Sequence, residues 1–250
     1  MTSFYDAGFD IGGTAIKFGL VDRDGRLVRQ GQVRSPGSIE GILAALEDAW
    51  TRLKRKAPGP IRACGFGIAG FYSLRQRKIL QSPNCPSLDG YPLVQAVRKF
   101  IDVPVRAGND ANMAAFGEFK HGAGRDVRSL VLLTVGTGIG SGLILDGKLW
   151  QGEGGYAGEI GHITVNPEGE PCNCGSRGCL ETEASAPKLV RDFRALSIRH
   201  PENERGLDRR RASSTTGPSR IFPAETTPPP MRIFSGLSRL MTVPKPMPSQ

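Results

Sequence analysis

Phe9-Asp10-Ile11-Gly12-Gly13-Thr14-Ala15-Ile16-Lys17 is the stretch on which the reading of the whole chain turns. Apolar residues lead into and out of a glycine pair, which predicts two short strands within residues 6–21 joined by a tight turn. At Gly12 and Gly13 no Cβ blocks the backbone, so their N–H groups can come close to a phosphate. Thr14 adds a hydroxyl, Lys17 a positive charge, and Asp10 a carboxylate at the strand end, suited to hold Mg²⁺ through water. An ordinary hairpin satisfies the same residues, and this stretch alone leaves both readings open.

Outward from it, Gly25 turns the chain toward a third strand at 27–34, completing a meander. Residues 38–56 carry Ile39, Ile42, Leu43, Leu46, Ala49, Trp50 and Leu53 at helical spacing, with Ser38 as cap and Pro58, Gly59 and Pro60 as the stop. A buried strand is predicted at 61–69, a short helix at 93–100, a strand at 103–107 and a helix at 111–121. The apolar strand 129–135 then runs through Gly136, Thr137, Gly138, Gly140, Ser141 and Gly142 into another strand at 142–145. The pattern of strand, glycine turn and strand thus occurs twice. Four glycines in seven positions cost conformational entropy, which is explained if a ligand needs access to backbone N–H groups. Two such hairpins predict two lobes gripping one nucleotide. A last helix is predicted at 186–196.

Between the hairpins, Gly108-Asn109-Asp110-Ala111-Asn112 follows one strand and opens a helix. A carboxylate there suits a general base that takes the proton of an attacking hydroxyl, and Asp110 is the candidate. Helix capping is the other reading of Asn109 and Asp110, and the flanking hairpins are what favour the base.

His162, Cys172, Cys174 and Cys179 form a complete tetrahedral zinc set of the closed, structural kind, with Gly175 and Gly178 freeing the loop between them. Scattered reduced cysteines are the alternative, yet cysteine is usually buried and this segment is polar. Glu159 and Glu181 flank the set, so a metal there would hold two carboxylates ready to accept hydrogen bonds from sugar hydroxyls.

The formal charge of +9 is uneven. From Arg199 onward nine Lys or Arg stand against four Asp or Glu, a surplus of five that leaves the preceding body nearly balanced. Residues 199–250 hold nine of the 19 prolines and no sustained periodicity, so they are expected to be a disordered basic tail without a dedicated partner. Neither nucleic acid nor membrane is expected as a partner, and with no apolar run of about 18 residues and no leader-like start the expected location is the cytoplasm.

Taken in order, Asp-Ile-Gly-Gly-Thr, Gly-Asn-Asp-Ala-Asn, Gly-Thr-Gly-Ile-Gly-Ser-Gly, Gly-Glu-Ile-Gly-His and Cys-x-Cys-Gly-x-x-Gly-Cys-x-Glu resemble the ROK family of sugar kinases and sugar-responsive repressors, over about residues 6–195. The resemblance implies an α/β, two-lobed, actin-like and hexokinase-type (ribonuclease H-like) fold that closes on ATP and a hexose. It divides the chain into an N-terminal lobe at 1–110, a partial second lobe with the zinc loop at 111–198 and the tail at 199–250. It implies that residues 10–17 and 136–141 hold phosphates, that Asp110 activates the sugar 6-hydroxyl, and that Asn109, Glu159, His162 and Glu181 contact the sugar, with Asn84 a further candidate. Family members are often dimers.

The expected activity is therefore ATP- and Mg²⁺-dependent phosphorylation of a hexose, glucose first, with structural Zn²⁺; N-acetylglucosamine and N-acetylmannosamine kinases share these residues. Nothing after Leu196 resembles the family's later strands and glycine-rich adenosine segment, which reads as a truncated or frameshifted frame. That makes an impaired fragment, binding zinc and sugar without turnover, the alternative expectation. A sugar-sensing regulator would need a helix-turn-helix ahead of the hairpin at Asp10 and is disfavoured.

Overall fold

The computed structural model describes residues 3–199, so the expected tail, Arg199 apart, lies outside the described residues. The strands are β1 (Tyr5–Ile11), β2 (Ala15–Val21), β3 (Leu27–Arg34), β4 (Ile61–Ile68), β5 (Phe71–Ser73), β6 (Lys78–Gln81), β7 (Val105–Asn109), β8 (Leu130–Val135), β9 (Ile139–Leu145) and β10 (Lys148–Trp150). The helices are α1 (Ile39–Lys56), α2 (Leu93–Val97), α3 (Asp110–His121), α4 (Leu180–Ala184) and α5 (Ala186–Arg199). The result is the α/β class expected. Among the described residues one compact unit takes in 3–133 and 140–159, the other 134–139 and 160–199.

The first unit is built on a five-stranded sheet in the order β3-β2-β1-β4-β7, in which β1 and β2 are antiparallel and β4 and β7 run parallel to β1. Being central, β1 is buried along almost its whole length, and Phe9 stacks on Phe66 with ring centroids 4.9 Å apart. Helix α1 starts where Ser38 accepts a hydrogen bond from the Gly41 amide and presents Ile42, Leu46, Ala49, Trp50 and Leu53 to the core. A second, antiparallel sheet has the order β10-β9-β8.

Several predicted boundaries move. β9 begins at Ile139, so Gly140 and Ser141 are strand residues, not turn residues. α2 stops at Val97, and β7 lies two residues later than predicted, from Val105 to Asn109. The hairpin of β5 and β6 and the short β10 had no sequence prediction.

Candidate active site

Parallel strands deliver side chains to their C-terminal ends, where open α/β sheets place their ligand sites. Asp10 is level with Gly67 of β4, and Gly67 with Gly108 of β7, so Asp10 and Asp110 emerge at one end of the sheet with only a glycine-bearing strand between them. Lys17 is the register partner of Asp10 across the hairpin. Burial raises the Asp10 carboxyl above its ordinary value, and the Lys17 charge pulls it partly back.

Asp110 is the first residue of α3. Burial lifts its carboxyl from 3.8 to about 6; the Ala111 amide, which donates to it at 2.8 Å, opposes the rise, and the negative charges of Asp10 and Glu159 add to it. Capping falls instead to Asn109, whose side-chain oxygen accepts from the Asn112 amide at 3.0 Å. The Asn109 amide group donates to the Gly70 carbonyl at 3.0 Å, which fixes the side chain's orientation and leaves one N–H for another partner. Asn84 is exposed beside the first hairpin: a Cβ added at Gly13 would stand 2.6 Å from the Asn84 carbonyl oxygen. Thr14 and Gly13 are themselves exposed. Ser141 is buried, and its hydroxyl donates to the carbonyl of Gly158, the residue before Glu159.

In the second unit, the Gly136 amide donates to the Gly138 carbonyl at 2.9 Å, closing a tight turn that leaves Gly136 and Thr137 exposed. The Glu181 carboxylate accepts from the Ile139 amide at 2.9 Å. A Cβ at Gly138 would lie 2.1 Å from that carboxylate, whereas one at Gly136 would meet open space. In the first unit, a Cβ at Gly142 would lie 2.5 Å from the Ala115 Cβ of α3. Packing alone thus accounts for a glycine at two of the four positions, Gly138 and Gly142, whereas at Gly136 it does not.

His162, Cys172, Cys174 and Cys179 bring one ligand atom each within 4.8 Å of one another. Cys172 Sγ and His162 Nδ1 are 3.6 Å apart, as are the Sγ atoms of Cys174 and Cys179. Ligands at 2.0–2.3 Å around one tetrahedral Zn²⁺ stand about 3.6–3.8 Å apart, so the donor set fits that ion. The loop reaches this shape because Gly175 and Gly178 take positive φ (93° and 56°), and the Cys172 amide donates to the Ser176 carbonyl at 2.8 Å. With Nδ1 turned to the thiols, His162 keeps Nε2 for a different contact.

Sequence reasoning did not identify the supporting groups: the Gly70 carbonyl that orients Asn109, the Gly158 carbonyl held by Ser141 and the Ile139 amide bound by Glu181. All three are backbone atoms, and a backbone atom's partner leaves no residue-type signal. Among the described residues no helix is long and apolar enough to cross a membrane.

The glucokinase of Halalkalibacterium halodurans is 36% identical over 214 residues, which cover 83% of this chain and 64% of that protein. The N-acetylmannosamine kinase of Salmonella arizonae is 36% identical over 176 residues, 70% of this chain and 60% of that protein. A crystal structure of a ROK family glucokinase from Streptomyces griseus in complex with glucose and AMPPNP superimposes with a TM-score of 0.71 at 39% identity, over 80% of this chain and 63% of that one. The chain thus spans about 60–64% of the length of these relatives. The pattern of the ROK family matches residues 6–215, further along than the motifs alone reach, and the chain belongs to that family.

Proposed function

We propose that this chain is a sugar kinase that moves the γ-phosphoryl group of ATP to the 6-hydroxyl of a hexose, with glucose the first candidate. The observation that carries the reading is Asp110: a carboxylate at a strand end, partly buried, with a pKa near 6, poised to be ionised at neutral pH and still basic enough to take a proton. Similarity to glucokinases supports the reaction, and equal identity to an N-acetylmannosamine kinase is the reason the sugar is part of the proposal.

In this reading Asp110 accepts the hydroxyl proton as that oxygen attacks phosphorus. Asn109, Glu159, His162 and Glu181, with Asn84, hydrogen-bond the remaining hydroxyls. Gly12, Gly13, Thr14 and Lys17 hold phosphate oxygens through backbone N–H groups, a hydroxyl and an ammonium, and Gly136, Thr137, Gly138, Gly140 and Ser141 do so from the second loop. Asp10 would hold Mg²⁺, which would supply positive charge to the phosphate oxygens. His162, Cys172, Cys174 and Cys179 would hold a structural Zn²⁺, which would fix the loop that leads into α4 and so the place of Glu181. A lobe division near residue 110, a cytoplasmic location and a homodimer belong to the same proposal.

A second reading, zinc and sugar binding without turnover, rests on the cluster of His162, Cys172, Cys174 and Cys179. A coupled assay for ADP release with glucose, mannose, N-acetylglucosamine and N-acetylmannosamine separates the two. Turnover highest with glucose supports the kinase; no turnover with any sugar above an Asp110→Ala control removes it.

A further inference from the structure

Ile139, which follows the turn of Gly136, Thr137 and Gly138, is held from both flanks of the His162, Cys172, Cys174 and Cys179 cluster. Its amide donates to the carboxylate of Glu181, two residues after Cys179, at 2.9 Å. On its carbonyl side lies Gly161, next to His162 and packed so closely that a Cβ there would stand 2.0 Å from the Ile139 oxygen. The other end of the turn is tied to the same stretch of chain, since the Ala186 amide donates to the Gly136 carbonyl at 3.0 Å. All of these residues belong to one compact unit.

The two flanks have little regular structure of their own to keep them in place. Ile160–His162 is a single 3₁₀ turn, and α4, which carries Glu181, is five residues long, too short to be a stable helix by itself. What joins them lies at the metal ligands. The Leu180 amide donates to the Ile163 carbonyl at 2.9 Å, and the Thr182 hydroxyl donates to the Cys179 carbonyl at 2.8 Å. An ion shared by His162 and the three cysteines would add the cross-link that this short ladder lacks. The bond from Ile139 to Glu181, an amide on a carboxylate, is of the stronger, charge-assisted kind.

We infer that Glu181 is a positioning residue for the glycine turn at 136–138, and that through it zinc occupancy and the binding of a phosphate-bearing nucleotide are coupled. With the cluster filled, Glu181 and Gly161 hold Ile139 between them and the turn presents its exposed residues, Gly136 and Thr137, in one shape. With the cluster empty, the carboxylate is free to leave the Ile139 amide and the turn loses its anchor. Coupling of this kind is reciprocal: whatever factor zinc adds to nucleotide affinity, the nucleotide adds to zinc affinity. The inference rests on the kinase reading only in naming the ligand as ATP.

The test follows hydrogen exchange of the Ile139 amide in the full chain, kept reduced, with zinc bound and after removal by a chelator. Removal is expected to speed that exchange about ten- to hundredfold, the scale of one hydrogen bond to a charged group, while the amides of β1 stay protected. Glu181→Ala with zinc bound should show the same rise, and Glu181→Gln, which keeps an acceptor oxygen, should show much less. If the stripped protein unfolds as a whole, the zinc-loaded variants decide. Exchange at Ile139 unchanged in Glu181→Ala, or raised equally in Glu181→Ala and Glu181→Gln, overturns the inference. By calorimetry, ATP should bind the zinc-loaded Glu181→Ala variant about tenfold more weakly than the unaltered chain, and equal affinities overturn the coupling. Should ATP bind neither protein, the kinase reading fails, and the exchange measurements still decide whether Glu181 positions the turn.

Discussion

Asp10 and Asp110 stand at the same end of one sheet, and the charge of the first helps to hold the carboxyl of the second near 6. In the proposed reaction Asp110 acts as a base only when ionised, so kcat/KM is expected to fall about tenfold per pH unit below that value. Asp10→Asn removes one of the two negative charges that raise it. The acidic limb of the pH profile then moves toward lower pH, whatever happens to the maximal rate. A limb that stays in place in the variant would show that the two carboxylates do not sense each other.

The same shift makes a stability prediction. A carboxyl whose pKa is raised from 3.8 to about 6 on folding favours the folded state below 3.8, and that contribution is lost as pH rises through about 6. Asp110→Asn removes the cost of an ionised, partly buried carboxylate. Thermal unfolding is expected to show the variant more stable at pH 7.5, by on the order of 1 kcal/mol, with the difference disappearing near pH 4. A variant less stable at pH 7.5 would mean that the Asp110 carboxylate is favourably solvated in the fold.

Gly136 and Gly138 differ in what a side chain would meet, so their alanine variants should differ too. Gly138→Ala forces the Glu181 carboxylate away from the Ile139 amide and is expected to lower stability by about 1–3 kcal/mol, and to weaken hexose binding measured by calorimetry. Gly136→Ala, facing open space, should leave the unfolding midpoint unchanged and act on nucleotide binding alone. Equal effects of the two on stability would contradict this division of labour.

For the His162, Cys172, Cys174 and Cys179 cluster, metal analysis of protein purified without added chelator is expected to find about one zinc per chain. Cys179→Ser should lose it, and hydrogen exchange should then rise in α4, whose first residue follows Cys179. Retention of stoichiometric zinc in that variant would rule out the four-ligand site.

Much of this was legible in the sequence for identifiable reasons. Ser38 with its following apolar spacing fixed α1 to the residue, because a cap and a 3.6-residue period are local signals. The spacing of Cys172, Cys174 and Cys179 with a distant histidine announced one cluster, since few other needs bring three thiols together. Less legible was why particular glycines occur: Gly138 and Gly142 answer to Glu181 and Ala115, neighbours that only folding brings near. The pKa of Asp110 depends on burial and on two carboxylates distant in sequence, Asp10 and Glu159, and was likewise out of reach. Asn109 shows both sides: its place before a helix made it a cap candidate, while its bond to Gly70 depends on a loop with no sequence signature.

The most direct test compares ADP release by the unaltered chain and by Asp110→Asn, with saturating ATP, Mg²⁺ and glucose at pH 7.5. Loss of a positioned general base predicts a drop in kcat of about 10²–10⁴-fold with folding intact. Equal rates in the two proteins would show that Asp110 takes no proton and would contradict the mechanism proposed for this chain.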